Sequence, residues 1–546
     1  MTSQFSRILI RLGALLVLVI AAIITLTWYL GSEDLAPLPS AEASDSLKES
    51  TARLNAAFET SWKALELESA PQALDHTIAR RLSLALTGAA PSLEELRRFE
   101  KLAEGGDPTQ SWLNHLFADQ RYTNYVAERF ARAFVGVGPG PFIIYRRRRM
   151  VNWLSEQLAM NRPYDELVSD LIASEGTWTT NPETNFITVS VIQDGDNKGP
   201  DEVKLAARTS RAFLGISLDC VQCHDDKFGD RWKQEDFHEL AAFYGQADMT
   251  ISGVREKSEK NYETAYKGKK DPSVVEPGVP FSEELKPEDG SRRKQLAEWI
   301  TNGNNRAFAR ATVNRAWALL FGRPLVDPVD DIPLEGPYPA GFETLTDEFV
   351  KSGHDFRYLL RLIAASAPFQ RASDSGNPDK PVTVEQEAAW AAFPVTPLRP
   401  EQVAGSIIQS ASFRALDGDA HIIDKLRRFG ETNDFVKRYG DQGENEFQEE
   451  SGTIPQRLLL MNGKLVGERT GENPVMNSST RVAHYSSSEK QAVDAAFLAL
   501  LTRLPTPEES DHFAASLEKK NPKAKARASA DLYWALINST EFSWNR

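Results

Sequence analysis

Five consecutive residues, Cys220-Val221-Gln222-Cys223-His224, restrict the interpretation of this chain more than any other segment. The two cysteines are the only ones among 546 residues. Covalent haem attachment requires two thiols at this spacing, which add to the vinyl groups of the porphyrin, and an imidazole after them that binds one axial face of the iron. The segment, called the CxxCH motif below, therefore predicts one covalent haem c attached to Cys220 and Cys223, with His224 as an iron ligand.

Two other uses of the cysteine pair are open. In an oxidising compartment the thiols can close a small disulfide, and in a reducing compartment they can supply two ligands of a zinc site. Zinc requires two further ligands, and the sequence has no second cysteine pair and no closely spaced histidine pair to provide them. Haem attachment is therefore favoured over both alternatives.

Two residues after the motif are candidates for the second axial position of the iron. Met249 lies in a predicted loop, and a thioether ligand there would raise the reduction potential, as in small cytochromes c. His238 lies at the start of the next predicted helix and would give bis-histidine ligation. A more distant ligand and an open position are further alternatives. An open position would permit small-molecule binding or peroxide chemistry.

The segment that leads into the motif has the spacing of a helix. Apolar residues recur on one helical face between Val203 and Leu218, while Arg208 and Arg211 lie off that face. The pattern predicts a helix that ends at Cys220. A polar turn and a helix that begins near residue 235 are predicted after His224, so that two helices would lie on the two sides of a flat macrocycle.

A charge-free run, residues 12–30, is predicted to cross a membrane once. It is apolar apart from two threonines, and as a helix it would span roughly 28 Å of hydrocarbon. Arg7 and Arg11 precede the run and two acidic residues follow it, which predicts a cytoplasmic tail and a periplasmic or otherwise extracytoplasmic location for the rest. We therefore predict a single-pass anchor in the cell inner membrane. A cleaved signal peptide is the alternative.

Composition and periodicity predict the fold class. The chain has 63 basic and 77 acidic residues and a net charge of -14, which argues against a nucleic-acid partner. Helical spacing predominates after the span, so the protein is predicted to be mainly α, with an N-terminal transmembrane helix, two helical domains and few short strands in the linker. The predicted divisions are 1–31 (tail and anchor), 32–69 (tether), 70–249 (haem c domain), 250–290 (linker) and 291–546 (second helical domain).

Several short phrases in the first half of the chain resemble a known family. They are Arg80-Arg81-Leu82, Thr87-Gly88, Pro91 to Glu95, Phe213-Leu214-Gly215, Cys220 to Asp225 and Leu240 to Phe243. This region is similar to the planctomycete-type cytochrome c domain family, whose function is otherwise unknown. The resemblance implies that Cys220, Cys223 and His224 hold a haem. Members often carry a second histidine two places after the first, where this chain has Asp226.

The second half resembles the usual companion of that family, a helical domain that is also of unknown function. The matching phrases are Asn314-Arg315, Trp317, Phe321-Gly322-Arg323, Asp330-Asp331, Pro455-Gln456, Leu460 to Gly463, Asp531-Leu532, Ala535 to Ser539 and Glu541-Phe542. The resemblance implies an exported two-domain protein with a haem motif and no established reaction.

The sequence supports three hypotheses about function. The first is one-electron transfer through the haem to or from a redox partner protein. The second is a non-redox binding or scaffold protein in which the CxxC pair is vestigial or a disulfide. The third is a haem enzyme with an open axial position, in which an acidic neighbour such as Asp226 assists the reaction.

Overall fold

The computed structural model of the chain describes residues 37–102, 106–138, 140–141, 144–192, 199–227, 231–250, 252–266, 271–416, 432–440, 453–473, 477–518 and 521–546. This part is mainly helical, which confirms the coarse class of the prediction, mainly α. The predicted membrane span at residues 12–30 lies outside the described residues. Within them, no helix has both the length and the apolar character that crossing a bilayer requires.

Helices form most of the chain on both sides of the CxxCH motif. Before it, the α-helices are Asp45–Ala64, Asp75–Thr87, Leu93–Phe99, Pro108–Phe117, Gln120–Val135, Arg147–Ala159, Tyr164–Ala173, Asn185–Thr188 and Glu202–Thr209. After it, they are Gln234–Ala242, Arg292–Thr301, Arg306–Phe321, Phe342–Lys351, Phe356–Ala365, Ala367–Gln370, Val384–Ala388, Pro400–Ser410, Ile454–Asn462, Lys464–Thr470, Ser478–Tyr485, Glu489–Leu501, Pro507–Leu517 and Pro522–Ile537.

Local sequence accounts for several of the helix starts. Ser92 accepts a hydrogen bond from the backbone N–H of Glu95, whose carboxylate accepts one from the Ser92 N–H in return. Thr506 and Glu509 form the same reciprocal pair before helix Pro507–Leu517. Each pair satisfies backbone donors that the first helical turn leaves free. The two helices consequently begin where the capping residues stand in the sequence.

The strands in the described residues are short and form four antiparallel pairs. The pairs are Val191–Ile192 with Gly199–Pro200, Ala247–Thr250 with Gly253–Glu256, Glu263–Thr264 with Ser273–Val274, and Thr396–Pro397 with Trp544–Asn545. The first and last pairs lie outside the predicted linker, so short strands are not confined to it. The last pair joins the carboxyl-terminal residues to the segment before helix Pro400–Ser410.

The apolar side chains of the described residues form two cores. The larger contains buried residues from Leu38 to Phe393, and it includes Val254, Tyr262 and Val275 of the predicted linker. The smaller is built from residues 398–542 together with Leu84. The boundary between the two cores thus lies near residue 395, and both halves of the chain contribute to the larger core. The division into sequence domains at residues 250–290 stays a prediction.

Part of the predicted tether is packed into the larger core. Helix Asp45–Ala64 buries Leu54 and Phe58 fully. Both side chains lie against Gly341 of the second half, where a Cβ atom would come within 2.5 Å of the Phe58 ring and 2.8 Å of Leu54. Ser50 also donates a 2.6 Å hydrogen bond to the carboxylate of Glu348. Residues 45–64 therefore belong to the folded body, in contrast to the tether that composition predicted.

Two neighbouring arginines in helix Asp75–Thr87 connect distant parts of the chain. Arg81 is fully buried, and its guanidinium donates to the carbonyl oxygens of Phe369 (2.8 Å), Arg371 (2.8 Å) and Arg546 (2.9 Å). The same group lies 3.6 Å from the centre of the Phe393 ring. Burial lowers the pKa of Arg81 well below its ordinary value. Main-chain oxygens, which are strong acceptors, hold this buried cation.

Arg80 makes the corresponding contacts with the smaller core. Its guanidinium donates to the carbonyl oxygens of Leu500 (3.0 Å) and Phe542 (3.3 Å) and to the hydroxyl of Thr502 (3.3 Å). Burial lowers the pKa of Arg80 to about 10, while the carboxylate of Glu541 raises it. The Arg80-Arg81 phrase of the first half and the Glu541-Phe542 phrase of the second half are therefore parts of one contact.

Candidate functional site

The chain approaches the CxxCH motif through an interrupted helix. Helix Glu202–Thr209 continues as a wider, π-type turn over Ser210–Leu214 and ends at Gly215, which has a left-handed φ of 63°. The prediction of a helix that reaches Cys220 is wrong. A Cβ atom at Gly215 would lie 2.9 Å from Ile332, whose N–H donates a 2.7 Å hydrogen bond to the Gly215 carbonyl. The helix thus stops where the second half of the chain packs against it.

The motif itself begins with a 3₁₀ turn, Asp219–Gln222. Val221 is 3 % exposed and belongs to the larger core, whereas both cysteines are exposed and have free thiols. Val221 therefore anchors the turn in the core, whereas Cys220 and Cys223 lie at the surface. This arrangement gives a reactant outside the chain access to both thiols.

His224 has a defined hydrogen bond at one ring nitrogen. Its Nδ1 lies 2.8 Å from the carbonyl oxygen of Asp225. Because a carbonyl oxygen only accepts, Nδ1 carries the proton, and Nε2 of the neutral ring holds the free lone pair. Nε2 has no hydrogen-bond partner among the residues that the structure describes. An imidazole whose Nδ1–H is bound to a backbone carbonyl is the usual form of a histidine that coordinates a metal through Nε2.

His238 lies behind the motif, and both of its ring nitrogens are engaged. Nε2 is 3.1 Å from the carbonyl oxygen of Gln222, and Nδ1 is 2.7 Å from the hydroxyl of Tyr262. Nε2–H must donate to the carbonyl, so Nδ1 of the neutral ring accepts from the tyrosine. Burial lowers the pKa of His238, which favours this neutral form. The ring therefore supports the backbone of the motif.

Gln234 is a second support for the same loop. Its side-chain amide donates to the carbonyl oxygen of Gln222 at 3.1 Å, and its backbone N–H donates to the carboxylate of Asp225 at 2.8 Å. The Gln222 carbonyl thus accepts from both Gln234 and His238, and the start of helix Gln234–Ala242 is fixed to the residue that follows His224. This helix holds the motif through polar contacts at its first two turns.

Met249 belongs to a different set of contacts. It lies in strand Ala247–Thr250 opposite Val254, and its side chain is partly buried. Val254 in turn pairs with Gly176 through two backbone hydrogen bonds of 2.8 and 2.9 Å. The predicted loop is therefore a strand. The structure brings Cys220, Cys223, His224 and His238 together in one segment and places Met249 in a separate hairpin.

The segment after His224 contacts the second half of the chain. The N–H of Asp226 donates to the carbonyl oxygen of Trp232 at 2.8 Å, and Arg231 donates to the carbonyl oxygen of Ile332 at 3.2 Å. Ile332 directly follows the Asp330-Asp331 phrase, which sequence analysis connected with the companion domain. The two family phrases consequently meet beside the motif.

Sequence reasoning missed the supporting residues Tyr262 and Gln234. Tyr262 lies in the range that composition assigned to a linker, and Gln234 resembles any polar residue at a helix start. An aromatic residue in a Lys- and Glu-rich segment was the available signal for Tyr262.

The zinc alternative would need further ligands beside the two cysteines. The described residues contain no group of three or more His, Cys, Asp or Glu side chains placed to hold a metal ion.

Comparison with protein families gives two matches. Residues 53–249 match PSCyt2, described as a protein of unknown function (DUF1549), and residues 292–419 match PSD1, also described as a protein of unknown function (DUF1553). The resemblance inferred from the sequence is thereby confirmed, in the predicted order. Neither the curated proteins nor the solved structures gave a match.

Proposed function

The chain carries a PSCyt2 domain followed by a PSD1 domain, and from this premise we propose that it is an exported, membrane-anchored c-type cytochrome-like protein. It carries one covalent haem c at the CxxCH motif and transfers single electrons to or from a partner protein. The apolar run at residues 12–30 anchors it in the inner membrane, with the bulk of the chain on the periplasmic or outer side.

The observation that carries this proposal is the state of His224. Its Nδ1 proton is used by the Asp225 carbonyl, and the free Nε2 lone pair is what an axial iron ligand requires. The two exposed thiols lie on the turn immediately before it. The donor set of two accessible sulfurs and one oriented imidazole fits a covalent haem c.

Each residue of the site has a separate task in this proposal. Cys220 and Cys223 would hold the haem through two thioether bonds, and the imidazole of His224 would bind its iron. Gln234 and His238 hold the Gln222 carbonyl, which keeps the loop between the two cysteines in a fixed conformation. The haem supplies a one-electron iron couple when it is bound.

The second axial position distinguishes electron transfer from a second candidate function. Both nitrogens of His238 are engaged, which favours Met249, another residue or an open position over bis-histidine ligation. Met249 as ligand supports electron transfer. An open position supports a haem enzyme that binds a small molecule, for which Asp226 is the acidic neighbour.

A haem stain on a denaturing gel tests the attachment. The full chain is produced in cells that attach haem to CxxCH motifs. A denaturing gel is used because a thioether-linked haem survives denaturation, whereas a non-covalently bound haem is lost. We expect a stained band for the wild-type chain and none for the Cys220→Ser/Cys223→Ser variant. His238→Gln is the matched control and keeps the stain, since glutamine can also donate to the Gln222 carbonyl. A colourless wild-type chain whose thiols are free or joined to each other rejects the proposal and leaves the binding or scaffold function.

Carbon monoxide binding then separates the two candidates. If Met249 occupies the second position, the reduced wild-type chain does not bind carbon monoxide and the Met249→Ala variant does. If the position is open, both bind carbon monoxide equally, which favours the haem enzyme. Absorption spectra of the reduced proteins with and without the gas provide the readout.

A further inference from the structure

Three arginines surround a small pocket beside the segment that leads into the CxxCH motif. The pocket is lined by Arg208, Arg211, Arg315 and Asp330, with Phe134 and Val329 among its apolar residues. It opens to solvent, and the free space inside it is about 30 Å³. A pocket that buries a drug-sized ligand has roughly 300–1,000 Å³, so this one has room only for a group of a few atoms.

The three cations are not equally paired. The guanidinium of Arg208 donates to the hydroxyl of Ser190, and Nε of Arg211 lies 3.4 Å from the carboxylate of Asp219. Arg315, which is partly buried, makes no hydrogen bond or ion pair with any described residue, and its Nε atom is inaccessible to solvent. A partly buried cation without an acceptor costs free energy unless an anion reaches it.

From this arrangement we propose that Arg208, Arg211 and Arg315 form an oxyanion-binding pocket that takes a carboxylate or phosphate group. Guanidinium groups match the two oxygens of such an anion with paired N–H donors. Asp330 lines the pocket and Asp219 lies beside Arg211, so the three arginines and these two carboxylates have a net charge of one positive unit. Ser190 and Asp219 hold two of the arginines in position before the anion arrives.

The pocket is connected to the motif through Asp219, which directly precedes Cys220. Arg211 contacts this carboxylate, and Arg315 lies on helix Arg306–Phe321, whose Ala311 packs against Gly215. An anion in the pocket therefore lies on the approach to the haem segment. Two sources offer the same chemistry, namely a propionate group of the attached haem and a small free anion. The proposal concerns the pocket and does not require that haem be attached.

Isothermal titration calorimetry with inorganic phosphate at constant ionic strength tests the pocket. The first arm uses the full-length Cys220→Ser/Cys223→Ser chain, which cannot attach haem. We expect saturable phosphate binding that becomes at least about tenfold weaker when Arg315→Gln removes one charged donor. Arg315→Lys, which keeps the charge and loses the two-oxygen geometry, is expected to fall between the two.

Arg527→Gln is the matched control, because Arg527 is exposed on helix Pro522–Ile537 and the substitution changes the net charge equally. It leaves phosphate binding unchanged. Circular dichroism and the melting temperature without phosphate show that each variant is folded. Phosphate binding that Arg315→Gln and Arg315→Lys do not weaken, or the absence of saturable binding, overturns the proposal.

The second arm repeats the titration with the haem-loaded wild-type chain and identifies the source of the anion. If a propionate occupies the pocket, phosphate binds only the chain that lacks haem. If the natural ligand is a small free anion, both forms bind phosphate with the same dependence on Arg315. Either result supports the oxyanion pocket. If phosphate does not bind in the first arm, the pocket proposal fails, but the result of the haem stain and the proposed function are unaffected.

Discussion

Arg80 and Arg81 are enclosed by protein, whereas Cys220 and Cys223 face solvent. The buried arginines donate to main-chain oxygens from both cores, so their hydrogen-bonding capacity is directed inward. In the CxxCH motif the backbone, Val221 and Nδ1 of His224 are held by contacts within the chain, whereas the two thiols are exposed. Both phrases lie in the region that matches PSCyt2, yet one connects parts of the fold and the other exposes two thiols to solvent.

This difference shows that a short sequence motif can either stabilise the fold or leave its side chains available for binding. Arg81 has all of its neighbours in the folded chain, and a substitution there is therefore expected to change stability. Nε2 of His224 has no hydrogen-bond partner among the described residues, and a substitution of His224 is expected to change haem binding. The haem stain tests the binding role of the motif, and the following predictions test residues that act within the fold, beginning with the largest expected effect.

Arg81→Met is expected to lower the free energy of unfolding by about 3 kcal/mol. The change leaves the carbonyl oxygens of Phe369, Arg371 and Arg546 without their donor, at about 1–3 kcal/mol for each buried group, and the loss of a desolvated charge offsets part of this cost. Guanidinium unfolding gives the measurement. Arg527→Met on an exposed helix position is the control and stays within about 0.5 kcal/mol of wild type. A loss below about 1 kcal/mol for Arg81→Met would contradict the inward role of this residue.

Gly215→Ala tests the contact between the approach to the motif and the second half. We expect a loss of about 2 kcal/mol, because the left-handed backbone strains an alanine and its Cβ would press on Ile332. Gly353 is the matched control: it has a φ of 70° and open space around its Cβ position, so Gly353→Ala carries the backbone strain alone, about 1 kcal/mol. Equal losses in urea unfolding would show that the contact with Ile332 contributes nothing.

The smallest expected effect is a pH dependence that comes from His238. Burial lowers the pKa of this ring below its ordinary value of about 6.5, so in the window below that value the unfolded chain binds a proton that the folded chain does not. The free energy of unfolding therefore falls as the pH drops through this window. Urea unfolding at about pH 7.5 and about pH 5 is expected to show a smaller pH dependence for His238→Gln than for wild type. Identical pH dependence in the two proteins would refute the neutral, supporting role of His238.

Local patterns predicted the helices better than they predicted the site. The capping pairs Ser92–Glu95 and Thr506–Glu509 are visible in four-residue phrases, because a cap involves only the first helical turn. The end of the helix before the motif was placed too late, at Cys220. Gly215 ends it, and the reason lies more than one hundred residues away in Ile332.

The roles of single residues at the site depended on partners that are remote in sequence. His238 was predicted to be an iron ligand at the start of a helix, and that prediction did not use Tyr262, which lies in the range assigned to a linker. The arginine pocket likewise joins Arg208 and Arg211 to Arg315 of the other half. Composition and periodicity describe each segment by itself and contain no information about such pairs.

The sequence by itself determined the helical class, the two family domains in their order, and the chemistry that the CxxCH motif offers. These follow from residue spacing, because a helical face and a thiol pair are defined within a few turns of chain. The tertiary structure decided which side chains face inward, where the helix before the motif ends, and that both halves share one core. Those outcomes depend on burial, and burial exists only once distant segments have removed water from between them.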